Sequence, residues 1–219
     1  MTAPRTQGLD LFPVHVEVFD FDDAPELNHA LLHAARTDSS LRSSTSGKSV
    51  LARDDAWVVD LRRRFDVALS TYLANVDPGH EDPFELESYV FFNYTDGSSF
   101  TPVHDHLVEA DLVAIYYAHA PVREERSASS YYDLDDGILV LHDPRVEARV
   151  DRRGVASRDH YRIYPRTNRL VVHPAGIRHS VTPSRGCERL AVTCTVTVDR
   201  SRLFEGYVRH RLRGAQEDR

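Results

Sequence analysis

Two histidines separated by one residue mark the part of the sequence that could bind a metal ion. His104 and His106 follow a polar turn at residues 95–99 and precede a long apolar run. In an extended backbone, alternate side chains point to the same face, so both imidazoles can converge on one point while Asp105 points away. Neutral imidazole is a common ligand of zinc and iron. The segment therefore predicts half of a metal site.

A third histidine far downstream completes the predicted set. His179 lies beyond a turn at residues 174–176, which follows a short strand-like run. Such a position suits a side chain projected from the end of a barrel strand. Three protein ligands on one face leave coordination positions open for a cosubstrate and O2. The remaining histidines have no comparable setting, and the alternative is that these three are also ordinary polar residues.

Composition restricts the class of protein. With 219 residues, 41% hydrophobic and 28% charged, the chain is typical of one soluble globular domain. The net charge of −7 argues against a nucleic-acid partner. Cys187 and Cys194 lack a CxxC spacing and are expected to be reduced thiols. No apolar leader or membrane-length run is present, so we expect a cytoplasmic protein, a monomer or homodimer, without a membrane partner.

The elements that must position the histidines fall into two parts of a single domain, 1–219. Residues 9–75 predict a strand over 11–19 and two helices, the first capped by Asp22 or Asp23 and the second by Asp54 or Asp55. Residues 87–200 form a β-rich core. Its strands are predicted near 87–94, 110–118, 137–142, 161–164, 169–173 and 189–198. This order is typical of helices packed on an antiparallel β-barrel or jelly roll.

The sequence resembles the iron(II)/2-oxoglutarate-dependent oxygenases, in particular a group of small bacterial members. The resemblance rests on HSVTPSRGCERLAVT from His179, on YTDGSSFTPVHDH before it, and on the strands DLVAIYYAHAP and DDGILVLHDPR. It implies a mainly β fold with flanking helices, a double-stranded β-helix of the jelly-roll or cupin-like kind. It also implies Fe(II), 2-oxoglutarate and O2. The expected reaction is the oxidation, by hydroxylation, of a C–H bond in a small, amino-acid-derived substrate.

The same resemblance gives Arg189 a role. Its rigid two-donor fork suits the far carboxylate of 2-oxoglutarate better than a lysine would. Arg189 opens a strand and shares a face with Ala191, so it can point into a barrel. A structural ion pair with Glu188 is the alternative. Tyr94 and Tyr117 are candidates to help bind that carboxylate, or they are barrel core.

The sequence departs from the family pattern at the third ligand, where His106 stands in place of Asp or Glu. Three solutions remain open. The metal is held by three histidines, or a bulge turns Asp105 inward, or Glu109 or Asp111 supplies a carboxylate. A site with three histidines agrees best with strand geometry.

Two other functions are compatible with the same candidate metal site. A cupin-type metalloenzyme, either an isomerase or a dioxygenase without cosubstrate, would have no use for Arg189. A non-catalytic barrel would bind a metal or ligand without turnover.

Residues 123–132, the loop 37–49 and Asn93 are candidate substrate contacts. Ser46-Gly47-Lys48-Ser49 lacks the first glycine of a phosphate-binding loop and is expected to be a flexible loop.

Overall fold

The computed structural model describes residues 14–42, 49–78, 85–97, 99–120, 137–144, 160–184 and 187–198. In chain order the elements are β1 (Glu17–Asp20), α1 (Pro25–Thr37), two 3-10 turns (Ser39–Arg42 and Val50–Ala52), α2 (Trp57–Val76), β2 (Leu86–Thr95), β3 (Thr101–His104), β4 (Leu112–His119), β5 (Leu139–His142), β6 (His160–Ile163), β7 (Arg169–Pro174), β8 (His179–Val181) and β9 (Arg189–Val198).

The strands form two antiparallel sheets that pack face to face. The larger has five strands in the order β1-β7-β4-β9-β2, and the smaller has four in the order β3-β8-β5-β6. A buried cluster joins them, because Ile115 and Val171 of the larger sheet pack with Leu141 and Ile163 of the smaller one. The predicted fold class, a mainly β jelly-roll barrel with flanking helices, is confirmed.

Strand β4 shows why the chain folds in three layers. Every residue from Leu112 to Ala118 is buried, so both faces of the strand are covered. Leu112, Ala114 and Tyr116 pack with the helices, whereas Val113 and Tyr117 point into the barrel. The helices supply the outer layer because each carries an apolar stripe at helical spacing. In α2 the stripe is Val58, Leu61, Phe65, Ala68, Leu69, Tyr72 and Leu73.

The predicted helix caps are wrong. The residues before α1 and α2 are Ala24 and Ala56, and neither helix has a side-chain cap. The carboxylate of Asp23 accepts the amide of Asn168 at 2.9 Å. The carboxylate of Asp55 binds Arg53. Asp23 is therefore engaged by a residue distant in sequence, and Asp55 by a neighbouring arginine.

The predicted strands match β2, β4, β5, β6, β7 and β9 within a few residues, but β3 and β8 were missed. The predicted strand 11–19 is observed as Glu17–Asp20, and residues 11–13 lie outside the described residues. The loop 123–132 and residues 43–48 also lie outside them. Within the described ranges, no helix combines the length and apolar character needed to cross a membrane.

Candidate metal centre

The two short strands bring the three predicted histidines together. His104 ends β3 and lies directly opposite His179, which begins β8. His106 follows two residues later, where its backbone N–H donates to the carbonyl of Ala175 at 3.0 Å. One ring nitrogen from each histidine lies within 4.8 Å of the others. Three neutral nitrogen donors at this separation suit zinc, iron, copper or nickel.

Hydrogen bonds at Nδ1 determine which nitrogen is available to a metal. Nδ1 of His104 lies 2.9 Å from the carbonyl of Pro102, and Nδ1 of His179 lies 3.0 Å from that of Ile177. A carbonyl only accepts hydrogen bonds, so in both rings Nδ1 carries the proton and Nε2 keeps its lone pair. Nδ1 of His106 lies 3.5 Å from the carboxylate of Glu109, which has the same effect. Such partners orient metal-binding imidazoles.

Burial keeps the rings of His106 and His179 neutral. His179 is 3% exposed, and burial, assisted by His173, lowers its pKa to about 3. Burial also lowers the pKa of His106. Because the metal binds the neutral ring, these histidines need no deprotonation near neutral pH before they can bind a metal.

Arg189 is a buried cation without an anionic partner among the described residues. It is 3% exposed, and within the described residues its guanidinium donates only to the carbonyl of Gly137 and the side chain of Asn93, both at 3.4 Å. Its Nε has no hydrogen-bond partner in the part of the chain that the structure describes. Burial lowers the pKa of Arg189, yet a guanidinium remains charged in proteins. A buried charge of this kind is costly unless a ligand compensates it.

The alternative ion pair with Glu188 does not form. The Glu188 carboxylate accepts from Nε of Arg36 at 2.8 Å and from the hydroxyl of Tyr94 at 2.7 Å. These hydrogen bonds lower the pKa of Glu188, and the one from Arg36 has the largest effect. The carboxylate of Glu188 is thus bound by residues on the helix side of the sheet, whereas Arg189 faces the barrel interior.

A cavity of about 280 Å³ connects the histidines with Arg189. Its apolar lining includes Ile115, Val181 and Ala191 from both sheets. The volume lies near the lower end of the range for small-molecule pockets. The cavity therefore combines a candidate metal site, an unpaired cation and a partly apolar wall.

The two predicted tyrosines lie on opposite faces of the larger sheet. Tyr117 lines the cavity and is 1% exposed, and burial raises its pKa. Tyr94 packs against the helix-side core and lies under the guanidinium of Arg42 at 4.5 Å. The position of Tyr94 does not fit the predicted contact with the cosubstrate. Asn93, predicted as a substrate contact, lines the cavity next to Arg189.

None of the three alternative carboxylates belongs to the convergent cluster. Asp105 lines the cavity, but its Oδ1 accepts the N–H of Leu107 at 3.3 Å. Glu109 also lines it, on the far side of the His106 ring from Nε2. Asp111 accepts the N–H of Val198 at 2.9 Å and does not line the cavity.

One buried histidine beside the site was not predicted. His173 in β7 is fully buried, and its ring centroid lies 4.9 Å from that of His179. Its Nδ1 lies 2.9 Å from the carbonyl of Pro174, while Nε2 has no partner among the described atoms. Burial lowers its pKa to about 4. The strand alternation with Val171, which points into the barrel, could have placed His173 on the same face.

Comparisons with known proteins place the fold. No protein-family model matches the sequence, and no curated protein matches it. Among solved structures, the chain is similar to a prolyl-4-hydroxylase from Pseudomonas putida, with 17% identity, TM-score 0.53, and 84% of this chain and 92% of that chain covered. It is similar to AviO1 from Streptomyces viridochromogenes, with 16% identity, TM-score 0.53, and 86% and 91% covered.

A third structure is HygX from Streptomyces hygroscopicus with nickel and 2-oxoglutarate bound. Its identity to the chain is 12%, its TM-score is 0.51, and 84% of this chain and 83% of that chain are covered. At sequence identities this low, the similarity to these three structures establishes the fold. The fold is the double-stranded β-helix that the sequence resemblance implied.

Proposed function

We propose that this protein is an iron(II)- and 2-oxoglutarate-dependent dioxygenase that oxidises, by hydroxylation, a C–H bond of a small, amino-acid-derived substrate. The observation that carries the proposal is the position of Arg189. It is a buried cation without an ion-pair partner among the described residues, and it lines the same cavity as three convergent histidines. A cupin-type site or a simple metal-binding barrel would not need such a cation.

The residues present suit both ligands. His104, His106 and His179 would hold the metal through Nε2, and the keto-acid end of 2-oxoglutarate would chelate it and leave a position open for O2. Arg189 would bind the far carboxylate with its two-donor fork. When bound, the metal supplies the chemistry in which O2 converts 2-oxoglutarate to succinate and CO2 and inserts one oxygen atom into the substrate C–H bond.

The chain itself supplies position and a dry environment. Gly137 and Asn93 hold the Arg189 guanidinium, so little reorganisation is needed when the cosubstrate binds. Ile115 and Ala191 make part of the wall apolar, which strengthens the attraction between Arg189 and a carboxylate. The nickel and 2-oxoglutarate bound to HygX, which shares the fold, support the assignment of both ligands.

Calorimetry with the nickel-loaded protein tests the proposal without turnover. 2-Oxoglutarate is compared with 2-oxopentanoate, which has the same chain length and chelating group but lacks the far carboxylate. We expect 2-oxoglutarate to bind at least about 30-fold more tightly, because only it compensates Arg189. With Fe(II) and O2, succinate should then form. Equal affinity for both acids, or metal binding without either acid, would favour a cupin-type enzyme or a non-catalytic barrel.

A further inference from the structure

The cavity has an uneven distribution of charge. Arg189 is the only lysine or arginine that lines it in the part of the chain described here. Two carboxylates, Asp105 and Glu109, line it beside the metal-binding histidines. Asp105 is exposed, and the side chain of Glu109 is 67% exposed, so both lie where the cavity meets solvent. The interior is therefore positive and the mouth negative.

No basic side chain neutralises either carboxylate within the described residues. Asp105 accepts one backbone N–H, that of Leu107. Glu109 contacts Nδ1 of His106, whose ring is neutral when it binds a metal. Both acids thus retain lone pairs that can accept from a ligand at the mouth.

When the metal and 2-oxoglutarate are bound, the charges in the cavity do not cancel the negative charge of Asp105 and Glu109. Three imidazoles contribute no charge, unlike the usual carboxylate-containing set of ligands. The charges of a divalent metal and the 2-oxoglutarate dianion cancel, and Arg189 offsets only one of the two mouth carboxylates. An anionic substrate would be repelled from this mouth, whereas a cation would be attracted.

Apolar side chains flank the same segment. The exposed ones are Phe100 (64%), Val103 (48%), Leu107 (66%) and Val108 (99%). Phe100 precedes β3, Val103 lies within it, and Leu107 and Val108 lie in the turn that begins at His106, so each is next in sequence to a residue that lines the cavity. Exposed apolar groups concentrated beside a cavity are typical of a ligand contact.

We propose that the substrate is a small molecule with a positively charged amine or guanidinium group, held by Asp105 and Glu109, and an apolar part that contacts the flanking side chains. This inference rests on the proposed function for the reaction that follows binding. The preference for positive charge is a separate property of the cavity and can be measured without turnover.

Ligand-observed proton relaxation with the Mn(II)-loaded protein measures this preference. Mn(II) accelerates relaxation only in molecules that bind near it, so the signal reports occupancy of this cavity. Two matched pairs are compared: hexylamine with hexanol, and N-acetylarginine amide with N-acetylcitrulline amide. In each pair the shape is similar and only one member is a cation. We expect the cations to bind about tenfold more tightly or better.

Variants assign the preference to the two carboxylates. Asp105→Asn and Glu109→Gln keep the side-chain shape and the oxygen that accepts from Leu107 or His106. Each should weaken the binding of the cations about three- to tenfold and leave the neutral probes unchanged. Asp60→Asn is the matched control, since it changes net charge equally on an exposed face of α2. It should leave all probes unaffected.

The outcomes separate this inference from the proposed function. If neutral probes bind as well as cations, if none binds, or if the preference survives in the Asp105→Asn, Glu109→Gln double variant, the inference is wrong. That result leaves the proposed function intact if calorimetry shows 2-oxoglutarate binding to the same protein. A cation preference without 2-oxoglutarate binding would uphold the charged mouth and refute the oxygenase.

Discussion

The backbone of Gly137 lies against the side chain of Arg189, and a β-carbon at this glycine would come within 3.0 Å of the Arg189 Cδ. Gly137 also has φ of +68°, a conformation that favours glycine. Its carbonyl accepts from the guanidinium. One glycine thus sets the position of the cation on which the proposed cosubstrate binding depends.

Gly137→Ala should therefore impair cosubstrate binding. The variant has to strain its backbone and displace Arg189, so we expect a loss of about 1–2 kcal/mol in unfolding free energy and about tenfold weaker 2-oxoglutarate binding. Chemical denaturation and calorimetry measure the two effects. Gly176→Ala is the control, because its β-carbon would meet only the exposed Leu107 side chain, at 3.3 Å. Unchanged 2-oxoglutarate affinity in Gly137→Ala would show that Arg189 does not bind the cosubstrate.

Arg189→Met should separate function from stability. The substitution removes a buried charge that has no compensating anion among the described residues, so the unfolding free energy of the apo-protein should stay the same or rise by about 1–2 kcal/mol. The affinity for 2-oxoglutarate should fall at least about 30-fold. Arg36→Met serves as control, since Arg36 binds Glu188 outside the cavity. A marked loss of stability in Arg189→Met would instead indicate a structural ion pair.

The buried histidines should make the apo-protein sensitive to acid. Burial lowers the pKa of His173 to about 4 and of His179 to about 3, whereas an unfolded histidine titrates near 6.5. Between these values the unfolded state binds more protons, so stability falls as pH decreases. From pH 7 to 5, each ring should cost about 2 kcal/mol of unfolding free energy.

Urea denaturation of the metal-free protein at pH 7.0, 6.0 and 5.0 measures this loss. His173→Gln should show a shallower pH dependence, because one of the two protonation events is removed. An unfolding free energy that stays constant over this range would contradict the neutral, buried state of both rings.

Strand alternation accounts for the part of the site that the sequence could predict. In β9, Arg189 and Ala191 point into the barrel and Leu190 and Val192 pack with the helices, as their spacing indicates. In β2 it was the family resemblance, not strand spacing, that suggested Tyr94, and this residue lies on the helix side. There both faces are apolar, so nothing local shows that Asn93 faces the cavity and Tyr94 the helices.

The remaining features depend on contacts that are distant in sequence. Strands β3 and β8 have only four and three residues, and pairing with each other defines them. Asp23 does not cap α1 because Asn168, far along the chain, binds its carboxylate. Local patterns carry no information on such partners.

The identity of the third metal ligand is the central claim, and one titration tests it most directly. Apo-protein with Fe(II) is titrated anaerobically with 2-oxoglutarate, and the weak visible charge-transfer band of the chelate is followed in wild type, His106→Ala and Asp105→Ala. The structure predicts a band in wild type and Asp105→Ala and its loss in His106→Ala, because His106 and not Asp105 belongs to the convergent cluster. A band that survives in His106→Ala and disappears in Asp105→Ala would contradict the three-histidine site.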